Sequence, residues 1–395
     1  MDVFDKCYSF DRADKIIEAG LYPYFKVIEG NHGSRVVIEG KEVVMAGSNN
    51  YLGLTRHPKV VEAALDATRE FGTSCSGSRY ANGTYRIHVE LEENLADFMG
   101  KEKALCFTTG YTANLGAISN LAGRRDIIYS DRENHSCIMD ATQMTFAVTK
   151  KFQHDDIEHL GKLLDDSDPE AGKLLVTDGV FSMKGTLAKL PEILALQEKH
   201  SFRTFIDDAH GVGVVGPTGR GTAEHYGLHD KVDVIMGTFS KSFAGLGGFV
   251  VGKKRIIDYI KHRSRQLIFA ASMTPASVAS VSAALELIRT EPEHLGNLRS
   301  VVKKVHSEFR RIGYEVPDQE TPIIYVKVGD DVTALTFWKD MLEMGVYTNP
   351  VVSPGVPPGQ GGVRASFMGI HTDEDIARIV EVFEVLGKKY GLLSD

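Results

Sequence analysis

RTFIDDAHGVGVVGPTGRGTAEHYGLHDKVDVIMGTFSKSFAGLGGFVVG, residues 203–252, contains three short apolar runs, RTFIDDAHG, VDVIMGTFS and GGFVVG, each bounded by turn residues. Runs this brief and this rich in Val, Ile and Phe read as strands buried on both faces. Working outward, the same kind of run recurs at ALCFTTG, DIIYSD and KLLVTDG. Between the runs lie helical patterns. HPKVVEAALDATREFG (57–72) and HVELEENLADFMG (88–100) space their apolar residues three and four apart, and each ends at a Gly suited to a helix C-cap. Strands alternating with helices predict an α/β fold, a mostly parallel central sheet flanked by helices on both faces.

On the N-terminal side, alternation in RVVIEGKEVVMAGS (35–48) with Gly40 at the turn predicts a β-hairpin. Residues 1–48 are read as a segment carrying that hairpin and 49–280 as the large domain. Beyond about residue 280 the pattern changes. A long amphipathic stretch, EHLGNLRSVVKKVHSEFRRIG (293–313), precedes strands at IIYVKV, VYTNP and VRASF and a last helix, DEDIARIVEVFEVLGKKYG (373–391). Residues 281–395 are therefore expected to form a smaller C-terminal α+β domain. The Pro/Gly-rich loop VVSPGVPPGQGG (351–362) stands just before the strand of Arg364.

Composition narrows the function. The chain has 395 residues, with 45 Lys+Arg against 53 Asp+Glu and a net charge of −8. Such a balance argues against nucleic acid as a partner, because binding it means neutralising phosphates. Cys7, Cys75, Cys106 and Cys137 are scattered and form no C-x-x-C pair, so no metal site and no disulfide framework is read from them. A cytoplasmic location fits that usage. The start, MDVFDKCYSFDRADK, lacks the basic and apolar regions of a signal peptide, and no apolar run reaches the ~18–20 residues of a membrane span. Peripheral membrane contact stays open.

GVGVVG (211–216) matches the dinucleotide-binding pattern G-x-G-x-x-G after a predicted strand, yet it continues into the turn-rich PTGRGTAEHYG where that motif would open a helix. The residues beside it carry more chemistry. Asp207, Asp208 and His210 close the strand FIDDAH, and GTFSKS (237–242) puts Lys241 at the next strand end after Thr238 and Ser240. A lysine amine can condense with a carbonyl while neighbouring hydroxyls and N–H groups hold a phosphate. Taken singly, a loop Lys reads as a solvated charge and an Asp pair as a cap. Together on consecutive strand ends, Asp207, His210 and Lys241 point to a pyridoxal-phosphate (PLP) enzyme: Asp207 for the pyridine nitrogen, His210 for the ring hydroxyl, Lys241 for the Schiff base and for proton movement at Cα.

The chain resembles the α-oxoamine synthases of PLP fold type I. SNNYLGL (48–54), GTSCSGSRYANGTYRIHVELE (72–92), TTGYTANLG (108–116), ENHSCIMDA (133–141), TDGVFSMKG (177–185), DDAHGVGVVGPTGRG (207–221), GTFSKSFAGLGGF (237–249), FAASMTPAS (269–277) and VRASFMGIHT (363–372) look like family blocks in family order. Within the group, SRYANGT, MTPASVAS and NPVVSPGVPP are most similar to soluble bacterial serine palmitoyltransferases. The resemblance implies that Gly110, Tyr111, Thr238 and Ser240 hold the cofactor phosphate, that His135 stacks on the ring and touches the substrate carboxylate, and that Ser182 stands near the ring hydroxyl with His210. It implies too that Arg364 grips the amino-acid carboxylate, that Asn50 and Tyr51 line the substrate entrance, and that Ser272 of the partner subunit completes the phosphate site of a homodimer. His135-Ser136-Cys137 departs from the usual His-Ala-Ser, and Lys184-Gly185-Thr186 from an acidic-Gly-Asp turn.

The expected reaction is a decarboxylative Claisen condensation of L-serine with a long-chain acyl-CoA, palmitoyl-CoA, to 3-oxosphinganine, CoA and CO2, a step toward sphingolipids. The alternative is a sister synthase of the 2-amino-3-ketobutyrate CoA ligase or 8-amino-7-oxononanoate synthase type, using glycine or alanine. Behind both stand an aminotransferase and a non-catalytic subunit. No resident metal is expected.

Overall fold

A computed structural model describes residues 2–319 and 321–394. Near the N-terminus, β1 (Gly30–Asn31), β2 (Arg35–Ile38) and β3 (Lys41–Met45) form an antiparallel meander. The turn between β2 and β3 is Glu39-Gly40, both at positive φ (52° and 71°), the backbone of a two-residue hairpin turn whose twist matches its strands.

The large sheet contains β4 (Lys103–Phe107), β5 (Asp126–Asp131), β6 (Val148–Phe152), β7 (Gly172–Asp178), β8 (Arg203–Asp207), β9 (Val234–Thr238) and β10 (Gly248–Gly252) in the order β4-β10-β9-β8-β7-β5-β6. Only β10 runs against its neighbours. All five residues of β9 and of β10 are buried, which is why both read as unbroken apolar runs rather than as alternation. Val234, Met236 and Val250 from these strands pack against Ala113, Ala117 and Ile118 of the Gly110–Leu121 helix. Each such aliphatic side chain contributes roughly 1.5–3 kcal/mol by leaving water. The edge strand β6, VTKKF, is absent from the sequence reading: Lys150 and Lys151 break its apolar pattern, and charge of this kind is how exposed sheet edges avoid pairing with other chains.

Toward the C-terminus follow β11 (Ile323–Gly329), β12 (Val346–Tyr347), β13 (Asn349–Val351) and β14 (Gly361–Ser366). VYTNP, read as one strand, is split between two sheets. β12 lies parallel to β3, whereas β13 joins β14 and β11 in a three-stranded antiparallel sheet. Phe309, Phe337, Trp338, Ile379 and Phe383 fill the core of this region with Val44 and Ala46 from the N-terminal segment.

The chain thus divides into two compact units, residues 49–299 and a second one joining the first 48 residues to those from 300 onward. The N-terminal segment does not stand alone, because β12 docks on β3. The larger unit runs on past residue 280. Its Pro275–Thr290 helix packs along the Pro58–Phe71 and Arg86–Phe98 helices and buries Val278, Val281, Leu285 and Leu287. The division falls inside the Glu293–Arg311 helix, which the sequence presents as one amphipathic stretch. Among the described residues no helix is long and apolar enough to cross a membrane.

Candidate active site

Strands β4, β9, β8, β7 and β5 all run in one direction, so their carboxyl ends share one edge of the large sheet. That edge is where ligands collect in open α/β sheets. A cavity of about 360 Å3 lies there, lined by Gly110, Tyr111, His135, Ser182, Asp207, His210, Thr238, Ser240 and Lys241, with Thr109, Cys137, Asp178, Val180, Ala209, Met236 and Leu246. Nine residues expected to hold a cofactor therefore come together from five separate chain segments.

The β4/β9 side supplies groups suited to an anion. Thr109 caps the Gly110–Leu121 helix, its hydroxyl accepting from the Thr112 N–H at 3.0 Å while Thr112 Oγ1 accepts from the Thr109 N–H at 3.1 Å. A helix start presents N–H groups and a partial positive charge to an anion. A Cβ at Gly110 would stand 2.8 Å from Thr238 Oγ1 and 2.9 Å from Met236 Cε, so any side chain would fill this corner. Thr238 Oγ1 and Ser240 Oγ lie 3.0 Å apart beside it. The Tyr111 hydroxyl donates to Asp140, a bond that raises its phenol above the ordinary range.

The middle of the edge carries two carboxyls in register, Asp178 on β7 opposite Asp207 on β8. Asp207 Oδ2 accepts from Asn114 Nδ2 at 2.5 Å and Oδ1 from the Ala209 N–H at 3.1 Å. Asp178 Oδ2 accepts from the His135 N–H at 3.1 Å, and its Oδ1 is buried without a partner among the described residues. Burial, reinforced by the Asp207 charge, pushes the Asp178 carboxyl well above the usual carboxylate range. Asn134 staples the ends of β5 and β7, donating to Val176 O at 2.8 Å and accepting from the Asp178 N–H at 2.9 Å. This places His135 at the start of the Ser136–Gln143 helix, where its Nδ1 accepts from the Cys137 N–H at 3.2 Å and lies 2.8 Å from Cys137 Sγ. With Nδ1 accepting, the ring proton sits on Nε2. Burial, with the Lys241 charge adding to it and Asp207 opposing, holds the His135 imidazole below its ordinary range.

Lys241 sits between two anchors. Phe239 and Phe243 are fully buried and meet Phe249 of β10 and each other at ring separations of 5.3–6.2 Å. Those rings pin the segment on either side of the lysine, which lines the cavity from a half-buried position. Tyr51, expected at the substrate entrance, is not among the lining residues. It is fully buried, and its hydroxyl lies 2.7 Å from Nδ1 of His210. Asn50 donates to Thr55 Oγ1 at 2.9 Å and is likewise not among the lining residues.

Ser272 and Arg364 are not among the residues that line this cavity. Ser272 borders a small niche with Arg79, His88 and Cys106, and its hydroxyl is buried without a partner among the described residues. Arg364 belongs to β14 of the second unit, is 5% exposed and donates from Nη1 to Ser366 Oγ at 2.6 Å. Asn114 and Asp178 are not named in the sequence analysis, and Cys137 enters it only as a scattered cysteine and as a departure from the family pattern. Asn114 could have been found, since it stands four residues after Gly110 and so one helical turn along the same face.

The GVGVVG segment serves a different purpose from dinucleotide binding. No helix of useful length follows it, and the loop closes on itself through Gly213 N–H to Gly219 O at 2.7 Å. Gly211 of this segment and Gly221 beyond it close on Asp208, whose Oδ2 accepts from the Thr222 N–H and whose Oδ1 lies against the Thr222 hydroxyl, both at 2.6 Å. Burial pushes Asp208 up to about 7.

Helix-start N–H groups and two hydroxyls on one side, a buried carboxylate in the middle and an amine beside them fit pyridoxal phosphate in both charge and position. A model of class I and II aminotransferases matches residues 41–383. Serine palmitoyltransferase of Bacteriovorax stolpii is 43% identical over 96% of this chain and 91% of that one. The serine palmitoyltransferase of Sphingobacterium spiritivorum is 44% identical over 95% of each chain. A structure of serine palmitoyltransferase from S. paucimobilis, a lysine-to-alanine variant with bound PLP–myriocin aldimine, matches with a TM-score of 0.95 at 34% identity, covering 100% of both chains.

Proposed function

The chain belongs to the class I and II aminotransferase family, among the α-oxoamine synthases that include the serine palmitoyltransferases, and from that premise we propose that it condenses L-serine with a long-chain acyl-CoA, palmitoyl-CoA, to 3-oxosphinganine, CoA and CO2. One observation carries the reading: Lys241, Asp207, His210 and His135 line a single cavity in a chain 43–44% identical to serine palmitoyltransferases over nearly its whole length.

The cofactor is pyridoxal 5′-phosphate, which when bound supplies an electron sink for charge developing at the amino-acid Cα. Gly110, Tyr111, Thr238 and Ser240 are the residues for its phosphate, and Asp207 is the carboxylate for its ring nitrogen. Asn114, donating to Asp207 Oδ2, fixes the direction of that carboxylate and leaves the charge in place. Lys241 Nζ would hold the cofactor and is the base for the proton of the serine Cα. His135, neutral and with its proton on Nε2, offers a hydrogen bond to the serine carboxylate, while Asp178 grips the backbone of that histidine. His210 and Ser182 are assigned to the ring hydroxyl, with Tyr51 orienting His210 through its Nδ1. Arg364 is assigned to the amino-acid carboxylate, a planar guanidinium being able to bind both oxygens.

The working assembly in this reading is a homodimer in the cytoplasm, with Ser272 of the partner subunit serving the phosphate. The unpartnered hydroxyl of Ser272 supports the first part and four free cysteines the second. Mass spectrometry of the product made by PLP-loaded protein, offered L-serine, glycine, L-alanine and L-threonine with acetyl-, octanoyl- and palmitoyl-CoA, tests the activity. Dominant 3-oxosphinganine is expected. Another amino ketone would move the substrates within the family, and no condensation product would sink the proposal.

A further inference from the structure

His57, Glu291 and His294 meet on the larger unit, and none of them lines the Lys241 cavity. His57 immediately precedes the Pro58–Phe71 helix, while Glu291 and His294 lie at the junction of the Pro275–Thr290 and Glu293–Arg311 helices. One donor atom from each lies within 4.8 Å of the other two. His294 Nε2 stands 3.2 Å from Glu291 Oε2, and the two imidazoles meet edge to face with centroids 5.6 Å apart. His57 Nδ1 is buried without a hydrogen-bond partner among the described residues. We propose that this cluster binds a divalent transition-metal ion of the zinc class through His57, His294 and Glu291, with a fourth position for water.

Two imidazoles and one carboxylate are a donor set that zinc favours over calcium or magnesium. Around bonds of about 2.0–2.2 Å the donors of a tetrahedral site stand roughly 3.4 Å apart, so small side-chain rotations from the present spacing complete it. The carboxylate is already positioned. Lys59 Nζ holds Oε1 at 2.5 Å and leaves Oε2 toward His294, which is the usual work of a group behind a metal ligand. The side chains of Glu291 and His294 are 26% and 19% exposed, so an ion can enter without opening the core. A bound ion would tie the start of one helix to the junction of two others that are distant in sequence. His154, the other histidine grouped with carboxylates, differs in being surrounded by Asp131, Glu133 and Asp155, which satisfy it as an ion pair.

The test uses the PLP-loaded enzyme, freed of adventitious metal by chelation and titrated with Co2+ and then Zn2+ under calorimetry and visible spectroscopy. A single saturable equivalent is expected, with strong cobalt d–d bands, no thiolate-to-cobalt band, and a melting temperature that rises with metal. His294→Ala and Glu291→Gln, each checked for an unchanged metal-free melting curve, should weaken binding at least about tenfold. His154→Ala should leave it unchanged. No saturable uptake, a thiolate band, equal affinity in His294→Ala, or loss of binding in His154→Ala would overturn the proposal.

Discussion

The loop after β8 (208–221) and the loop after β9 (239–247) are both rich in glycine, follow neighbouring parallel strands and each send a residue into the cavity, yet Asp208 of the first and Lys241 of the second are used in opposite ways. In the first, a Cβ on Gly211 would lie 1.9 Å from Asp208 Oδ1 and one on Gly221 1.9 Å from Oδ2, so the backbone closes around a carboxyl that it also bonds through Thr222. In the second, a Cβ on Gly245 would lie 2.5 Å from Val281 Cγ2 and one on Gly247 2.7 Å from Met273 Sδ. There the backbone closes on apolar groups, and Ser240 and Lys241 are left to line the cavity. Glycine content reports only that the backbone must come close to something. Where the neighbour is Asp208 the glycines enclose that carboxyl, and where the neighbours are Val281 and Met273 they leave Lys241 to the cavity.

Four experiments would break or sharpen that contrast. Lys241→Ala should remove the base at Cα and lower turnover by about 10²–10⁴-fold or more with an unchanged melting curve, followed by product mass spectrometry. A variant that turned over at the wild-type rate would dissolve the distinction between the two loops. Asp207→Asn comes next: each pK unit by which its charge favours the protonated ring nitrogen is worth tenfold, so PLP affinity by fluorescence titration should fall at least about tenfold, while Asp208→Asn leaves it unchanged.

Asp208 should show itself through pH and stability instead. Its folded value of about 7 lies above the ordinary 3.8, so the folded chain keeps a proton that the unfolded chain has already released. Stability therefore falls as pH rises from about 4 to about 7 and is level above that, and Asp208→Asn should flatten this slope in denaturant melts. An identical slope in the variant would show that other groups set it. Smallest is Gly211→Ala, where the added methyl meets Asp208; a loss of about 1–3 kcal/mol in stability is expected, with product identity unchanged.

Much of the site was legible because strand ends advertise themselves. FIDDAH and GTFSKS pair an apolar run with polar residues at its carboxyl end, and that juxtaposition alone places Asp207, His210 and Lys241 on one sheet edge. His135 and Arg364 carried no such signal and rested on family resemblance. Asp178 was hidden because VTDG reads as a strand followed by a turn, and its register with Asp207 exists only once β7 and β8 pair. Cys137 stands out in the sequence as a departure from the family pattern; its contact with His135 is the local cap of its own helix, whereas its contact with Asn114 depends on two helices packing side by side. Tyr51 was placed at the substrate entrance by the family resemblance alone, and that it is buried with its hydroxyl against His210 is visible only in the fold.

Local patterning determined the α/β alternation, the hairpin at Glu39-Gly40, the buried strands and the polar ends of β8 and β9, because these depend on residues within a few positions of each other. The tertiary structure alone decided that the first 48 residues join the C-terminal portion, that VYTNP divides between two sheets, and that His57 meets Glu291 and His294. Each of those joins residues far apart in the chain. Such a pairing becomes favourable only after other elements have already buried their apolar faces and met the entropy of bringing distant segments together.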